Sequence, residues 1–511
     1  MDMTGAQPAA VPIRWAKVID QDKCIGCHAC TTACKSENEV PIGVTRTYVK
    51  AVEVGIFPEA RRSFQVTRCN QCSDAPCVTA CPTTAMFARP DGIIDFNKSS
   101  CIGCKACIAA CPYDAIFINP EDHSAEKCNF CAHRIDQGLE PACVVVCPVE
   151  AILVGDLNDP TAKVTRIVNR QVVQVRRPEK ETRPKLFYKG AHQATLDPLA
   201  ARRPDGGLYA WAEQPSGPQE IGAGNPGRAN SSAAVLLAYD VSHTAPWGWR
   251  VGAYIWTKSI AAGAYLVPLL LVLLGEASWQ GPLWTWFAPL ASTAFMLATL
   301  VFLVWDLKHP RRFLYVLTRP QWRSWLVRGA FVITAFAAVL GLHLLASVTG
   351  AGGITPSLAY LGVPLAAMTA IYTAYLLAQA KARDLWQNPL LPPHLLVQAM
   401  LAGAAICLPA AALLEPTLVA PLVLLLAGSA LVHLLFVAGE LTLTHATAHA
   451  HLAMRNLTRG PQARVFWTGQ ALLLCGVASL ALGPWVAPLA LAGLAAHEHA
   501  YIQAGQSVPL A

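Results

Sequence analysis

Sixteen of the chain's eighteen cysteines fall between Cys24 and Cys147 in four consecutive quartets, and this pattern limits the fold more than any other feature. They read Cys24-x2-Cys27-x2-Cys30-x3-Cys34, Cys69-x2-Cys72-x4-Cys77-x3-Cys81-Pro, Cys101-x2-Cys104-x2-Cys107-x3-Cys111-Pro and Cys128-x2-Cys131-x11-Cys143-x3-Cys147-Pro. Three closely spaced thiolates with a fourth one helical turn later are the ligand pattern of a cubane iron–sulfur cluster. Structural zinc sites show two separated Cys pairs, without the third Cys two residues on or the trailing Cys-Pro. A disulfide framework needs an oxidising compartment, and nothing near the N-terminus resembles an export signal. Sixteen thiolates make room for four clusters, enough for an electron wire. Cys407 and Cys475 sit in apolar runs and read as small core residues.

The segments between quartets repeat one unit. Cys81-Pro-Thr-Thr-Ala-Met-Phe and Cys111-Pro-Tyr-Asp-Ala-Ile-Phe each end a short ligand-bearing helix at Pro and enter a small strand, as does Cys147-Pro-Val-Glu-Ala-Ile-Leu. Units this small lack a large apolar core, so bound clusters are expected to hold them together. His28, His123 and His133 lie near cysteines but read as solvent-facing, because the ligand count is already complete. In two-cluster ferredoxins the fourth Cys of each quartet ligates the other quartet's cluster, and spacing alone leaves the pairing open.

The region from about Val11 to Val154 resembles the four-cluster ferredoxin subunits of the dimethyl sulfoxide reductase superfamily of molybdenum and tungsten enzymes. The resemblance implies that the outer quartets pair with each other, and likewise the inner ones. One cluster would take Cys24, Cys27, Cys30 and Cys147, and its partner Cys128, Cys131, Cys143 and Cys34. The inner pair would be Cys69, Cys72, Cys77 with Cys111, and Cys101, Cys104, Cys107 with Cys81. All positions are Cys, so four [4Fe-4S] clusters are expected.

From about Arg177 to Ala233 the chain turns rich in Pro, Gly, Ala and charge, which reads as a linker or extended arm. Beyond Trp249 it is a membrane protein. A membrane-crossing helix needs about 20 mostly apolar residues, and eight stretches qualify, at about 252–274, 284–305, 326–348, 358–380, 394–414, 418–439, 465–482 and 485–503. With eight spans, the loops on the cysteine-rich side carry Lys308, Arg311, Arg312, Arg319, Arg323, Lys381, Arg383, Arg455, Arg459 and Arg464. The far-side loops carry only Glu276 and Glu415. The positive-inside rule then places the iron–sulfur domain in the cytoplasm, against a bacterial-type inner membrane. The lack of a twin-arginine signal points the same way. The net charge of +7 belongs largely to this collar facing lipid headgroups and calls for no nucleic-acid partner.

The expected organisation is an α+β ferredoxin-like domain of two tandem dicluster units over residues 1–176, a Pro/Gly-rich segment over 177–245, and an all-α bundle of about eight transmembrane helices over 246–511. The membrane half resembles the polysulfide reductase membrane-subunit family of NrfD type. The likeness lies in Trp247-Gly-Trp with Tyr254 and Ala261-Ala-Gly-Ala, then Asp306-Leu-Lys-His-Pro-Arg-Arg-Phe. It continues in Arg319-Pro-Gln-Trp-Arg-Ser-Trp-Leu-Val-Arg-Gly-Ala and, more weakly, from Arg459-Gly to Phe466-Trp. It implies electron exchange with quinone without haem. A pair of haem ligands at one depth is also missing from the pattern. His343 lies roughly 27 Å along the third span, and His433 about 10 Å from the cytoplasmic end of the sixth.

Quinone chemistry needs proton donors and acceptors beside an apolar cleft, and ionisable residues within spans default to functional hypotheses. Tyr254, Lys258, Asp306, Arg328, His433 and Glu440 are the candidates, with Tyr372 and Tyr375 in reach. Lys258 reads equally as a side chain snorkelling to the headgroups. For Asp306, Arg328 and Glu440 a structural ion pair or helix-end position is favoured over catalysis, and His433 suggests a proton relay. His445, His449 and His451 read as solvated.

Together these features predict an electron-transfer and anchor subunit serving a separate molybdopterin-type catalytic subunit, with sulfite oxidation the favoured chemistry. The chain itself would carry only the quinone half-reaction. The alternative is a respiratory module that couples quinone turnover to proton translocation with no molybdenum partner.

Overall fold

The computed structural model describes residues 12–55, 58–202 and 235–511. Two bodies are stacked: a cysteine-rich domain of short strands and helices, and a helical bundle beneath it.

Each cysteine unit is built as its sequence repeat implies. The helix Pro76–Ala80 stops at Cys81-Pro and runs into the strand Met86–Ala88, which pairs antiparallel with Ile94–Phe96. The helix Ala106–Ala110 stops at Cys111-Pro and leads to Ile116–Ile118, paired with Ala125–Lys127. A four-stranded sheet in the order Ile152–Asp156, Trp15–Asp20, Leu186–Lys189, Val173–Gln174 closes one side. A three-stranded sheet, Val235–Tyr239, Thr47–Val54 and Arg61–Arg68, closes another.

These sheets correct the expected boundary at 177. Leu186–Lys189 pairs in parallel with the strand Trp15–Asp20, and Val235–Tyr239 pairs with Thr47–Val54. Both described ends of the supposed linker are thus woven into the cysteine-rich domain. The Leu-Phe-Tyr-Lys strand is only four residues long, and the Pro and charge around it mask its alternation of buried and half-buried side chains. The rest of that segment, 203–234, lies outside the described residues.

The bundle consists of α1 (Trp249–Leu273), α2 (Ala288–Asp306), α3 (Trp325–Val348), α4 (Thr355–Ala378), α5 (Leu391–Leu414), α6 (Val419–Thr442), α7 (Ala463–Leu482) and α8 (Ala487–Gly505). Seven of these, with their flanking turns, are long and apolar enough to cross a membrane. The expected eighth span forms α8, which carries His497, Glu498, His499 and Gln503 and is less apolar than the others. It nevertheless returns the chain to the starting side. Residues beyond it meet the cysteine-rich domain, where Arg176 donates to the Leu510 carbonyl (2.9 Å) and Lys50 to that of Ala511 (3.1 Å). An even number of traverses is what such a return requires.

Helix α1 is central and mostly buried, whereas α2 and α3 leave most of their apolar residues at least partly exposed. Leu290, Leu297, Leu300 and Val301 on α2 point outward, as lipid-facing side chains do. Helices α1 and α5 cross closely at Gly263 and Gly403. A Cβ on either would strike the other's backbone, the small-residue contact by which membrane helices approach. On the far side, Glu415 accepts from the Leu283 amide (3.0 Å), setting a carboxylate at the helical entry to α2.

Candidate functional site: cysteine sets above a polar bundle interior

The cysteines gather into four sets. Cys24 and Cys30 neighbour Cys27 electrostatically, and Cys147 acts on Cys24. Cys34 has Cys128, Cys143 and Cys131 beside it. Cys77 has Cys69, Cys111 and Cys72, and Cys107 has Cys104, Cys101 and Cys81. The last four line a single cavity with Met86, Phe96 and Lys105. The sets also touch in series: Cys30 feels Cys143, Cys69 feels Cys128, and Cys107 feels Cys77. The series runs from Cys27, which is exposed, inward to fully enclosed thiols.

The chemistry of these donors fits iron–sulfur ligation. None of the sixteen is bonded to another. Burial pushes the Cys30 and Cys111 thiols up to about 11 and those of Cys34 and Cys72 up to about 12, so cationic iron is what would favour their thiolate form. Amide donors already aim at sulfur, from Ala151 to Cys147 (3.2 Å), Met86 to Cys81 and Gly103 to Cys101 (both 3.4 Å).

Two buried cations escaped the sequence reading. Arg68 donates to Cys143 Sγ at 2.9 Å, and Lys17 reaches the same sulfur at 3.7 Å. Burial would raise the Cys143 thiol, but Arg68 and then Lys17 overcome it and hold the group at about 7. Both cations sit on strands and are buried there. Their place within apolar strand patterns was the available signal, obscured because basic residues usually face water.

The set around Cys104 sits on the membrane domain. Trp247 Nε1 donates to the Cys104 carbonyl (3.2 Å), and its ring stacks on Trp386 at 5.5 Å. Lys105 pairs with Asp306 (3.1 Å). The His309 amide donates to Ile102 O (3.1 Å), Arg312 to Cys101 O (2.9 Å), and the Ser324 hydroxyl to Ala80 O (2.9 Å). Gly103, at φ +68°, lies so close to Lys308 that a Cβ there would clash with it. Part of the expected arginine collar therefore docks protein. Arg312 serves the cysteine domain, and buried Arg383 donates to the carbonyls of Gln506 (3.1 Å) and Val508 (3.3 Å).

Ala109, Trp247, Val251 and Tyr254 share one apolar core across the junction. Lys258, one turn below Tyr254, is fully buried and does not snorkel; it donates to Ala370 O (2.7 Å) and Thr373 Oγ1 (2.8 Å) and lies over the Tyr372 ring. Tyr254, Lys258 and Tyr372 are thus brought together. Asp306 is engaged by Lys105. Glu440 accepts from Asn388 (2.5 Å). Arg328 is set apart, exposed, donating to Trp322 O (2.8 Å) and covering Trp325, itself stacked on Tyr375. His433 is buried beside His394 and His497, neither of which the sequence reading selected. His343 lies elsewhere, against Trp284 and Tyr265. Among the distal histidines, His449 is half-buried. It lines a cavity with Arg177, Glu179 and Asp197 of the cysteine domain.

Comparison with known proteins agrees with both halves. Residues 15–36 match a 4Fe-4S binding domain, 61–157 a 4Fe-4S dicluster domain, and 239–496 the polysulphide reductase NrfD family. The chain is 42 % identical over 197 residues to a subunit of the tetrathionate reductase of Salmonella typhimurium, covering 37 % of this chain and 77 % of that protein. It is 41 % identical over 177 residues to one component of the polysulfide reductase of Wolinella succinogenes (34 % and 93 % covered). It is 36 % identical over 224 residues to the iron–sulfur subunit of the arsenate respiratory reductase of a Shewanella species (34 % and 96 %). The resemblances inferred from the cysteine quartets and from the Asp306–Ala330 stretch are thereby borne out. The chain belongs to the polysulphide reductase NrfD family, with an iron–sulfur electron-transfer domain joined ahead of that membrane domain in one polypeptide.

Proposed function

We propose that this chain is the electron-transfer and membrane-anchor subunit of a quinone-linked molybdenum or tungsten oxidoreductase. Its sixteen cysteines would hold four [4Fe-4S] clusters, which supply reversible one-electron transfer. A molybdopterin-type catalytic subunit would dock by the set at Cys24, Cys27, Cys30 and Cys147, of which Cys27 is exposed. The observation that carries the reading is the serial line of cysteine sets, ending where Trp247 and Lys105 of the junction meet Cys104 and Asp306. Directly below, Tyr254 and Lys258 furnish a hydroxyl and an amine inside an apolar wall, the donors a quinone needs for its two protons. Tyr372 completes one side.

The basic loops favour a cytoplasmic iron–sulfur face. The relatives' names, tetrathionate, polysulfide and arsenate reductase components, favour a sulfur or arsenic compound as the partner's substrate. With the cytoplasmic face, sulfite oxidation feeding electrons to quinone is the specific reading.

Purification from native membranes tests it, with partner identification and Mo, W and Fe analysis. The expected result is a large co-purifying subunit with molybdenum or tungsten, and sulfite-dependent quinone reduction. Iron near sixteen atoms per chain with neither partner nor metal would overturn the oxidoreductase assignment.

A further inference from the structure

Three histidines from three different helices converge inside the bundle: His394 on α5, His433 on α6 and His497 on α8. All are buried, and one imidazole nitrogen from each lies within 4.8 Å of the others. Ring centroids stand 4.7 Å apart for His433 and His497 and 4.8 Å for His394 and His433. None belongs to a cysteine set or to the Tyr254–Lys258 group.

A purely organic network settles this cluster poorly. His394 Nε2 meets His433 Nδ1 at 2.9 Å and Gln398 Nε2 at 3.4 Å, and Gln470 Nε2 meets His497 Nδ1 at 3.0 Å. That leaves His433 Nε2, Gln398 Oε1, Gln470 Oε1 and Glu498 Oε2 buried without partners. Orphaned polar atoms are costly away from bulk water. Beside the histidines is a cavity of about 20 Å³, lined by His394, Gln398, His497, Glu498 and Tyr501. A space of that size holds one water.

We propose that His394, His433 and His497 bind one divalent transition-metal ion of the zinc class, distinct from the iron of the cysteine domain. Neutral imidazole suits such ions, and three protein ligands with one open position are a recurrent set. Metal–nitrogen bonds of about 2.0–2.1 Å place tetrahedral ligand nitrogens about 3.3 Å apart, between the 2.9 Å of the His394–His433 contact and the 4.8 Å limit of the set, so small side-chain rotations reach that geometry. The adjoining cavity leaves place for a water as fourth ligand, and Glu498 Oε2 is the acceptor on its wall. Turning the Gln470 amide over would set Oε1 against His497 Nδ1–H, the outer hydrogen bond that fixes a ligating histidine's tautomer. Glu498 lines that same cavity. Its other oxygen accepts from Ser259 of α1 (3.4 Å), so the ion would tie α5, α6 and α8 to the central helix.

The test is elemental analysis of the full-length protein, carried on a tag without histidine and purified from zinc-supplemented cells. About one zinc per chain is expected beside the iron. H394Q and H433Q should each lose that zinc, more than fivefold, with iron content unchanged as the sign of an intact cysteine domain. An H445Q/H449Q/H451Q variant should keep it. Cobalt exchanged into the wild type should give visible bands of a four-coordinate site, absent from H433Q. Wild-type protein without non-iron metal overturns the proposal. So does zinc retained by H394Q and H433Q, or lost with the distal histidines.

Discussion

His243 bonds to two carboxylates at once, Asp114 through Nδ1 (2.5 Å) and Asp240 through Nε2 (3.1 Å). Burial alone would lower its pKa, but Asp240 and Asp114 reverse this and raise it to about 10. Lys50 faces Asp240, Arg383 faces Asp114, and the Tyr48 ring is 6.2 Å away. The folded value lies above the unfolded one of roughly 6.5. The stabilisation is therefore complete below about pH 6.5 and is lost as pH rises through about 10. Thermal unfolding in detergent should show a falling midpoint between pH 7 and 10, a loss on the order of 4 kcal/mol. H243Q should start lower and flatten that slope. At this scale the sequence was readable where one residue type repeats. Cysteine spacing announces its chemistry, whereas His243, Arg68 and His497 take their roles from partners far along the chain. Arg328 shows the converse, since an arginine near a helix start has the same local pattern whether it faces lipid or a cleft.

At the scale of elements, hydropathy located the helices within a few residues, because a membrane-crossing segment has to satisfy its own backbone and hide its polarity. The same rule explains α8. Its His497 and Glu498 face the interior, so the helix is less apolar than a lipid-facing one yet still completes the bundle. Strands were harder to read. Four residues between Lys185 and Gly190 cannot outweigh the surrounding Pro and charge in any composition window, although Leu186 and Tyr188 both point into the core. The α1–α5 crossing gives the sharpest element-level expectation. In G263L the new side chain would meet Ala399 O and the Gly403 backbone, neither of which can yield. Overpacking of this kind costs about 1–3 kcal/mol. Fluorescence-detected size exclusion after heating should show a lower midpoint than wild type, whereas L424A on the lipid-facing side of α6 should not.

Considered whole, the molecule stacks a series of cysteine sets above a bundle with a buried amine at Lys258. Its junction rests in part on backbone contacts, such as His309 to Ile102, that side-chain patterns cannot announce. Gly103 is where that junction is tightest. G103V should push Lys308 away and strain a left-handed turn, costing about 1–3 kcal/mol of docking. Quinol-driven reduction of the iron–sulfur domain in membranes should fall while iron content holds. Equal loss of both would mean that the turn serves cluster assembly instead.

The long reach between Trp247 and Gln506, whose side chain bonds both the amide and the carbonyl of that tryptophan across 259 positions, bears on how the protein is born. The cysteine-rich part emerges from the ribosome first and can mature early, but its seat stays unfinished until α8 has entered the bilayer. Translation order thus becomes a checkpoint. A chain stalled anywhere in the bundle presents an unclosed underside, open to proteases and chaperones, and only a fully threaded bundle shuts it.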